Sequence, residues 1–172
     1  LNVLALCGSL RAASMNRTLL EACVRVAPPL RVEIFEGLGA LPLFNPDLEA
    51  NLPAPVRALH AAVERADALL IASPEYAHGV TGVLKNALDW LVSFPPFVDK
   101  CVALFSASPR SVHADAALRE ILTTMSANLV TDACLALPLR GTGPTVESIV
   151  AAHGAAIRAA LECLSRDSMN RS

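Results

Sequence analysis

A short apolar run that ends at a glycine does most to limit what this chain can become. Val3-Leu4-Ala5-Leu6-Cys7 shows no alternation and stops at Gly8, the pattern of a strand buried on both faces, and an amphipathic helix follows almost at once. Such a strand needs helices above and below it, so the chain is read as α/β with a doubly wound parallel sheet. Between strand and helix lie Ser9, Arg11, Ser14 and Asn16, with small residues at 8, 12 and 13. A turn of this kind presents unpaired backbone N–H groups at a helix N-terminus, ringed by hydroxyl, amide and guanidinium donors, which are the parts of a phosphate cradle. It has no Gly-Lys-Ser/Thr of a Walker loop, and one glycine where a dinucleotide fingerprint has three. The phosphate of a mononucleotide such as a flavin suits it better than ATP or a directly held dinucleotide. The plainer alternative is that Ser9 and Ser14 only cap the helix, Arg11 faces solvent and Asn16 makes a local turn.

The 172 residues are enough for one domain with its own core. With 53% apolar and only 17% charged residues, the composition suits a two-sided sheet and leaves apolar surface for a subunit partner. No run of about 18 apolar residues offers a membrane span, and a net charge of -2 supplies no field for nucleic acid. The cysteines at 7, 23, 101, 134 and 163 form no CxxC pair. Their odd number and wide spacing argue against a disulfide framework and a zinc knuckle, so they are read as reduced core thiols, and no metal centre is expected. The first residues carry no basic region followed by an apolar stretch and a cleavage site, which points to a cytoplasmic location.

Residues 15–27 predict a helix whose stripe is Leu19, Leu20, Cys23, Val24 and Ala27, stopped by Pro28-Pro29. Arg31–Phe35 reads as a second strand near an edge, because Glu33 needs water. The irregular segment 36–55 is long for a compact domain, and its Leu41, Leu43 and Phe44 are expected to pack under the helix layer or beside a ligand rim. A helix starting near Pro53-Ala54-Pro55 carries Val56, Leu59, Val63 and Ala66, with His60 beside the stripe at the surface or boundary. Leu69-Leu70-Ile71-Ala72 is a third buried strand, ending at Ser73-Pro74, and Lys100–Phe105 a fourth. Ala114–Met125 is the next helix and Leu129–Leu135 the fifth strand. The loop over 140–149 leads into a last helix through Ile149, Ile157, Leu161 and Leu164. A polar tail over 167–172 leaves residues 1–166 as a single domain.

The stretch 74–93, PEYAHGVTGVLKNALDWLVS, holds a second turn after a buried strand, shaped by a proline and two glycines. In doubly wound sheets ligands collect outside the carboxyl ends of strands where the strand order reverses, so a site shared by this turn and the first is expected. Tyr76, the one tyrosine, is placed to lie against a flat ring or to pack near the loop. Glu75 and His78 read as an acid and a base, or as groups that satisfy turn N–H donors. Lys85, Asn86 and Asp89 fit helix-surface pairing or subunit contacts as well as chemistry. No GxSxG elbow or sequence-identifiable Cys–His pair appears, so a cofactor that brings its own reactivity accounts for a site made of positioning groups.

GSLRAASMNR followed by SPEYAHGVTGVLKNALDW resembles the NAD(P)H-dependent FMN reductase family of flavodoxin-like proteins, which includes quinone and azo-dye reductases. The family's GSxRxxSxN is met by Gly8, Ser9, Arg11, Ser14 and Asn16. Its PxY and GxLKNAxDW are met by Pro74, Tyr76, Gly82, Leu84, Lys85, Asn86, Ala87, Asp89 and Trp90. The resemblance implies a five-stranded sheet of order 2-1-3-4-5, FMN as cofactor and NADPH or NADH as hydride donor. It further implies transfer onward to a small second acceptor, and the sequence leaves open whether that is free FMN, a quinone, an azo compound or a metal ion. By the same resemblance Ser9, Arg11, Ser14, Met15 and Asn16 would hold the FMN phosphate, while Pro74, Glu75, Tyr76, Ala77, His78 and Gly79 would follow the ribityl chain and ring. The helix carrying Lys85 to Trp90 resembles the family's interface in a homodimer or dimer-of-dimers tetramer, with Val80, Leu84, Trp90 and Leu91 offered to the partner.

Two departures stand out. Many relatives have Asn after the tyrosine and Pro before the later glycine, where this chain has Ala77 and Thr81. Relatives also have several glycines after the fourth strand, where Ala107, Ser108 and Pro109 stand here. Pro109 removes one N–H donor, so either flavin affinity is weakened or Ser106, Ser108 and Arg110 supply other contacts. Arg110 reads equally as a contact to the flavin or to the phosphate of the pyridine nucleotide, or as a solvent-facing side chain.

Overall fold

The computed structural model describes residues 1–139 and 143–171. The main strands are β1 (Asn2–Cys7), β2 (Arg31–Ile34), β3 (Ala68–Ala72) and, after a small hairpin of β4 (Glu75–Tyr76) and β5 (Gly79–Val80), β6 (Cys101–Ser106). Two short segments, β7 (Asn128–Leu129) and β8 (Leu135–Ala136), complete the sheet. Its order is β2-β1-β3-β6-β7, with β8 also on β6, and every pairing within it is parallel. Counting the divided edge as one strand, this is the expected 2-1-3-4-5. The helices are α1 (Met15–Val26), α2 (Ala54–Arg65), α3 (Gly82–Asp89), α4 (Val112–Thr124) and α5 (Val146–Met169).

Alternation along each strand divides the core into two layers. Val3, Ala5, Cys7, Ala68, Leu70, Ala72, Ala103 and Phe105 face α1 and α5, whereas Leu4, Leu6, Leu69, Ile71, Val102 and Leu104 face α2, α3 and α4. The first set is rich in small side chains, which lets α1 and α5 lie close to the sheet and against each other. Leu6, Leu69, Leu70 and Ile71 are wholly buried. Each contributes about 1.5–3 kcal/mol relative to exposure, so the carboxyl ends of β1 and β3 are rigid mounts for the turns that leave them.

The fifth strand departs from expectation. Leu129–Leu135 is broken by a 3-10 turn at Thr131–Ala133, where Thr and Asp favour a turn over a ladder. Pairing resumes at Phe105↔Leu135, displaced from the Val102↔Leu129 register by the three residues of the turn. The break leaves the Leu104 N–H without a ladder carbonyl, and Cys134 Sγ accepts it at 3.3 Å. The polar tail is also shorter than predicted: α5 continues to Met169, and buried Ser168 donates its hydroxyl to the Asp67 carbonyl at 2.9 Å. The predicted loop at 140–149 falls partly on residues 140–142, outside the described residues. From Thr145 onward it closes as a capping box with Ser148.

The interface expected on α3 is taken up within the chain. Trp90 is 1% exposed, and Leu84 and Leu91 are buried beside it. The Trp90 indole N–H donates to the Pro42 carbonyl at 2.8 Å and its ring meets Phe44 edge-on at 5.0 Å. Asn86 donates to the same carbonyl at 2.9 Å and accepts from Phe44 N–H at 2.8 Å. The segment after β2 thus forms a second wall over α3, a long-range packing that a helical stripe cannot reveal. It buries Leu41 and half-buries Phe44, and leaves Leu43 exposed. His60, on α2, stacks on Phe94 and bonds the Trp90 carbonyl at 2.8 Å, which makes it a boundary residue. Lys85 and Asp89 form an i,i+4 ion pair at 2.6 Å.

Candidate functional site

Three turns leave the carboxyl ends of adjacent strands β1, β3 and β6, and each is tied to the next. The Gly8 N–H donates to the Ala72 carbonyl at 2.8 Å, joining the first turn to the end of β3. Asn16, in the first turn of α1, is 6% exposed and accepts the Ala107 N–H on its side-chain oxygen at 3.2 Å, joining the first turn to the third. Glu75, in the hairpin, accepts the Ala114 N–H at 2.8 Å, joining the second turn to the start of α4. The sequence-predicted residues are therefore brought together on one rim.

The first turn carries the donors. Ser14 caps α1, its hydroxyl accepting the Arg17 N–H at 3.3 Å. Backbone N–H groups of Ala12, Ala13, Ser14, Met15 and Asn16 have no backbone partner among the described residues. Ser9 Oγ accepts the Arg11 N–H at 3.4 Å. Arg17 is committed, bonding Glu21 at 2.8 Å and both oxygens of Glu36 at 2.7 Å. That hydrogen bonding holds the Glu36 carboxyl below its ordinary range. Arg11 is exposed, and its guanidinium has no partner among the described residues. An unpaired N–H cluster at a helix N-terminus with a free guanidinium beside it fits a phosphate group. Beneath it Cys7 donates to the Ser9 carbonyl at 3.5 Å, and burial pushes its thiol up from the ordinary value, which keeps the sulfur protonated and inert.

The second turn is a two-residue β-hairpin, with Glu75 opposite Val80 and Tyr76 opposite Gly79. Its left-handed positions are Ala77, at φ 50°, and His78, at φ 57°, the pair of positive angles that a type I′ turn requires. The expected glycine control is absent: Gly79 is not left-handed, and a Cβ there would meet only the Tyr76 carbonyl at an ordinary 3.6 Å. Tyr76 is 57% exposed at the rim and offers an aromatic surface to a planar ligand. Ser73 and Pro74 sit at the base, Ser73 Oγ within 3.4 Å of buried Thr81 Oγ1.

The third turn spends its polar groups on itself. Ser106 Oγ donates to the Ser108 carbonyl at 2.7 Å and accepts the Ser108 N–H at 3.2 Å, and Ser108 Oγ accepts the Arg110 N–H at 3.3 Å. The contacts expected of Ser106 toward a ligand are thus used inside the loop, whereas the exposed Arg110 side chain has no partner among the described residues. A cleft of about 360 Å³ adjoins this turn, lined by Ser106, Ser108, Pro109, Arg119 and Cys134 among others. Sequence spacing missed His113, which stacks on His78 with ring centroids 4.2 Å apart. Nothing local to either histidine signals the other, because they stand 35 positions apart and meet only when α4 packs directly against the hairpin.

A parallel sheet of this order with a donor-rich turn at the end of its first strand defines a flavodoxin-like α/β protein. The chain belongs to the NADPH-dependent FMN reductase family, whose model matches residues 1–141. Among relatives, an NAD(P)H:quinone oxidoreductase of Solanum tuberosum is 44% identical over 115 residues, covering 62% of this chain and 58% of that protein. An NAD(P)H-dependent FMN reductase of Pseudomonas aeruginosa is 38% identical over 112 residues, covering 63% and 60%. A 2-hydroxy-1,4-benzoquinone reductase of a Burkholderia species is 41% identical over 90 residues, covering 52% and 49%. The match thus spans about half to three-fifths of the length of these relatives. Among solved structures, the flavoenzyme NAD(P)H:(acceptor) oxidoreductase FerB from Paracoccus denitrificans superposes with a TM-score of 0.78 at 24% identity, over 96% of this chain and 97% of that one. That likeness carries the fold. No helix among the described residues is long and apolar enough to cross a membrane.

Proposed function

We propose that this chain is an NAD(P)H-dependent FMN reductase, a flavodoxin-like domain that takes NADPH or NADH as hydride donor and a small molecule as second acceptor. The observation that carries this reading is the first turn, which combines backbone N–H groups without a backbone partner among the described residues and the exposed Arg11 guanidinium, donors suited to one phosphate. Bound there, FMN would supply the redox chemistry, taking hydride from the pyridine nucleotide and giving electrons to the acceptor. Ser9, Arg11, Ser14, Met15 and Asn16 hold and neutralise the phosphate, chiefly through Arg11 and backbone N–H groups. Pro74, Glu75, Tyr76, Ala77, His78 and Gly79 set the hairpin against the flavin ring. Tyr76 supplies surface, and Glu75 is a positioning residue through its bond to α4. Arg110 is placed to meet the phosphate of the incoming nucleotide, while Ser106 shapes the loop. The relatives named as quinone reductases favour a quinone as second acceptor over an azo compound. The domain works in the cytoplasm as a homodimer or a dimer-of-dimers tetramer, through faces other than the buried Trp90.

The test separates phosphate from ring. Arg11→Ala should weaken FMN binding about tenfold or more, since a charge-assisted contact is worth about 1.5–3 kcal/mol, and should change riboflavin binding much less. Fluorescence titration reads both. Equal losses for the two flavins would place Arg11 in the fold or at the ring. NAD(P)H oxidation with FMN and with quinones then separates the two acceptors, and no flavin binding at all would mark a non-catalytic module.

A further inference from the structure

We propose that Glu75, His78 and His113 form a binding site for one divalent transition-metal ion of the zinc, nickel or copper kind. One ligand atom from each residue lies within 4.8 Å of the others, so side-chain rotations that splay the two stacked rings bring all three onto one ion. The residues come from two elements that the fold locks together. His78 stands at the second left-handed position of the hairpin, and His113 in the first turn of α4. Glu75 ties the two, its Oε2 accepting the N–H of Ala114, the residue after His113. That bond uses one carboxylate oxygen and leaves Oε1 without a hydrogen bond among the described residues.

Neither imidazole makes a hydrogen bond among the described residues; their one recorded contact is with each other, stacked at an interplanar angle of 22°. Stacking leaves the ring nitrogens free at the edges, where a metal binds. The carboxylate decides the sign of the ligand. A helix N-terminus with two histidines would otherwise invite an anion, but Glu75 already occupies the α4 N–H and brings a negative charge. Two imidazoles and one carboxylate match borderline transition metals, whereas magnesium and calcium ask for more oxygen ligands. Three protein ligands leave a zinc ion an open fourth position for water or a small ligand, on the same rim as the flavin-facing turn. The proposal does not depend on flavin binding.

The experiment uses untagged protein as purified, stripped of adventitious metal by a chelator and then freed of the chelator. Calorimetric titration with zinc chloride and with nickel chloride should show one equivalent bound, and magnesium chloride none. An ion that clamps the hairpin to α4 should raise Tm by about 5–10 °C at a hundredfold excess over Kd. His78→Asn, which tolerates the left-handed backbone there, and His113→Ala, both at exposed positions, should fold normally and each weaken zinc binding at least tenfold. The visible absorption of a cobalt-loaded sample should disappear in both. Absence of saturable binding, or one-equivalent binding that survives both histidine substitutions, overturns the proposal. Because His78 also stands in the flavin-facing hairpin, these results are read from zinc binding alone, and the Arg11 comparison tests flavin affinity separately.

Discussion

Gly8 and Ser73 meet where β1 and β3 end: a Cβ on Gly8 would lie 2.2 Å from Ser73 Oγ and 2.6 Å from Ser73 Cβ. The turns after the two strands therefore touch at a point where only glycine fits. Gly8→Ala should destabilise by about 1–3 kcal/mol, the range for overpacking. Ser73→Gly in the same chain should recover most of that loss, because the overlap lies between these two residues. Urea unfolding of the double-mutant cycle measures the coupling, and strictly additive losses would mean that Gly8 serves another purpose.

Asn16 is a buried bridge as well as a member of the donor-rich turn. Asn16→Ala leaves the Ala107 N–H, on a residue 2% exposed, without its partner, at a cost of about 1–3 kcal/mol. Asn16→Asp keeps an acceptor and should hold stability much nearer the parent value. The added negative charge beside the proposed phosphate position should still weaken FMN binding. Thermal denaturation with flavin titration checks both, and an Asp variant that binds FMN as the parent does would move the phosphate elsewhere.

Ala77 sits at φ 50° with a Cβ that the left-handed region disfavours. Asn tolerates this conformation and is common in type I′ turns. Ala77→Asn should stabilise the protein by about 0.5–1 kcal/mol. A fall in Tm instead would show that the Asn side chain meets something on α4 that Ala avoids.

Trp90 belongs to the core of its own chain. Trp90→Ala should cost about 3–5 kcal/mol, the range for deleting a buried aromatic side chain, with the sedimentation mass of the folded protein unchanged. Trp90→Phe should lose less, because Asn86 still donates to the Pro42 carbonyl. A shift to smaller species at unchanged stability would return Trp90 to a subunit interface.

Arg17 and Glu36 give acid stability a readable sign. The hydrogen bonds from Arg17 lower the Glu36 pKa from 4.5. The pair's contribution is therefore complete above that value and is lost as the pH falls through the lower, folded one. Arg17 is partly exposed and Glu36 well exposed, at 32% and 68%, so screening limits the contribution to about 0.2–1 kcal/mol. Glu36→Gln should lower Tm slightly at neutral pH, and the gap should close in acid. A gap that persists at about pH 3 would belong to packing rather than charge.

Much of this protein could be read from local pattern. Unbroken apolar runs at 3–7 and 69–72, each followed by a turn and a helical stripe, were enough to predict buried parallel strands, because burial on both faces removes alternation. The order of the strands came from a family resemblance rather than from periodicity, since no period specifies which strand is whose neighbour. The donor residues of the first turn were legible for the same local reason: a capped helix start exposes its own N–H groups whatever packs around it. What only the tertiary structure decided depends on groups far apart in the chain. Trp90 and Asn86 looked free until the segment around Pro42 closed over them. Glu75 read equally as an acid or as an acceptor for backbone N–H groups, and only the packing of α4 gave it the Ala114 N–H, just as the folding of the third turn gave Ser106 its partners in Ser108. His78 and His113 share no local signal, and the packing of α4 on the hairpin, tied by Glu75, is what stacks them. Local patterns report burial and backbone conformation, whereas partners are chosen by the few directions in which two rigid layers can meet.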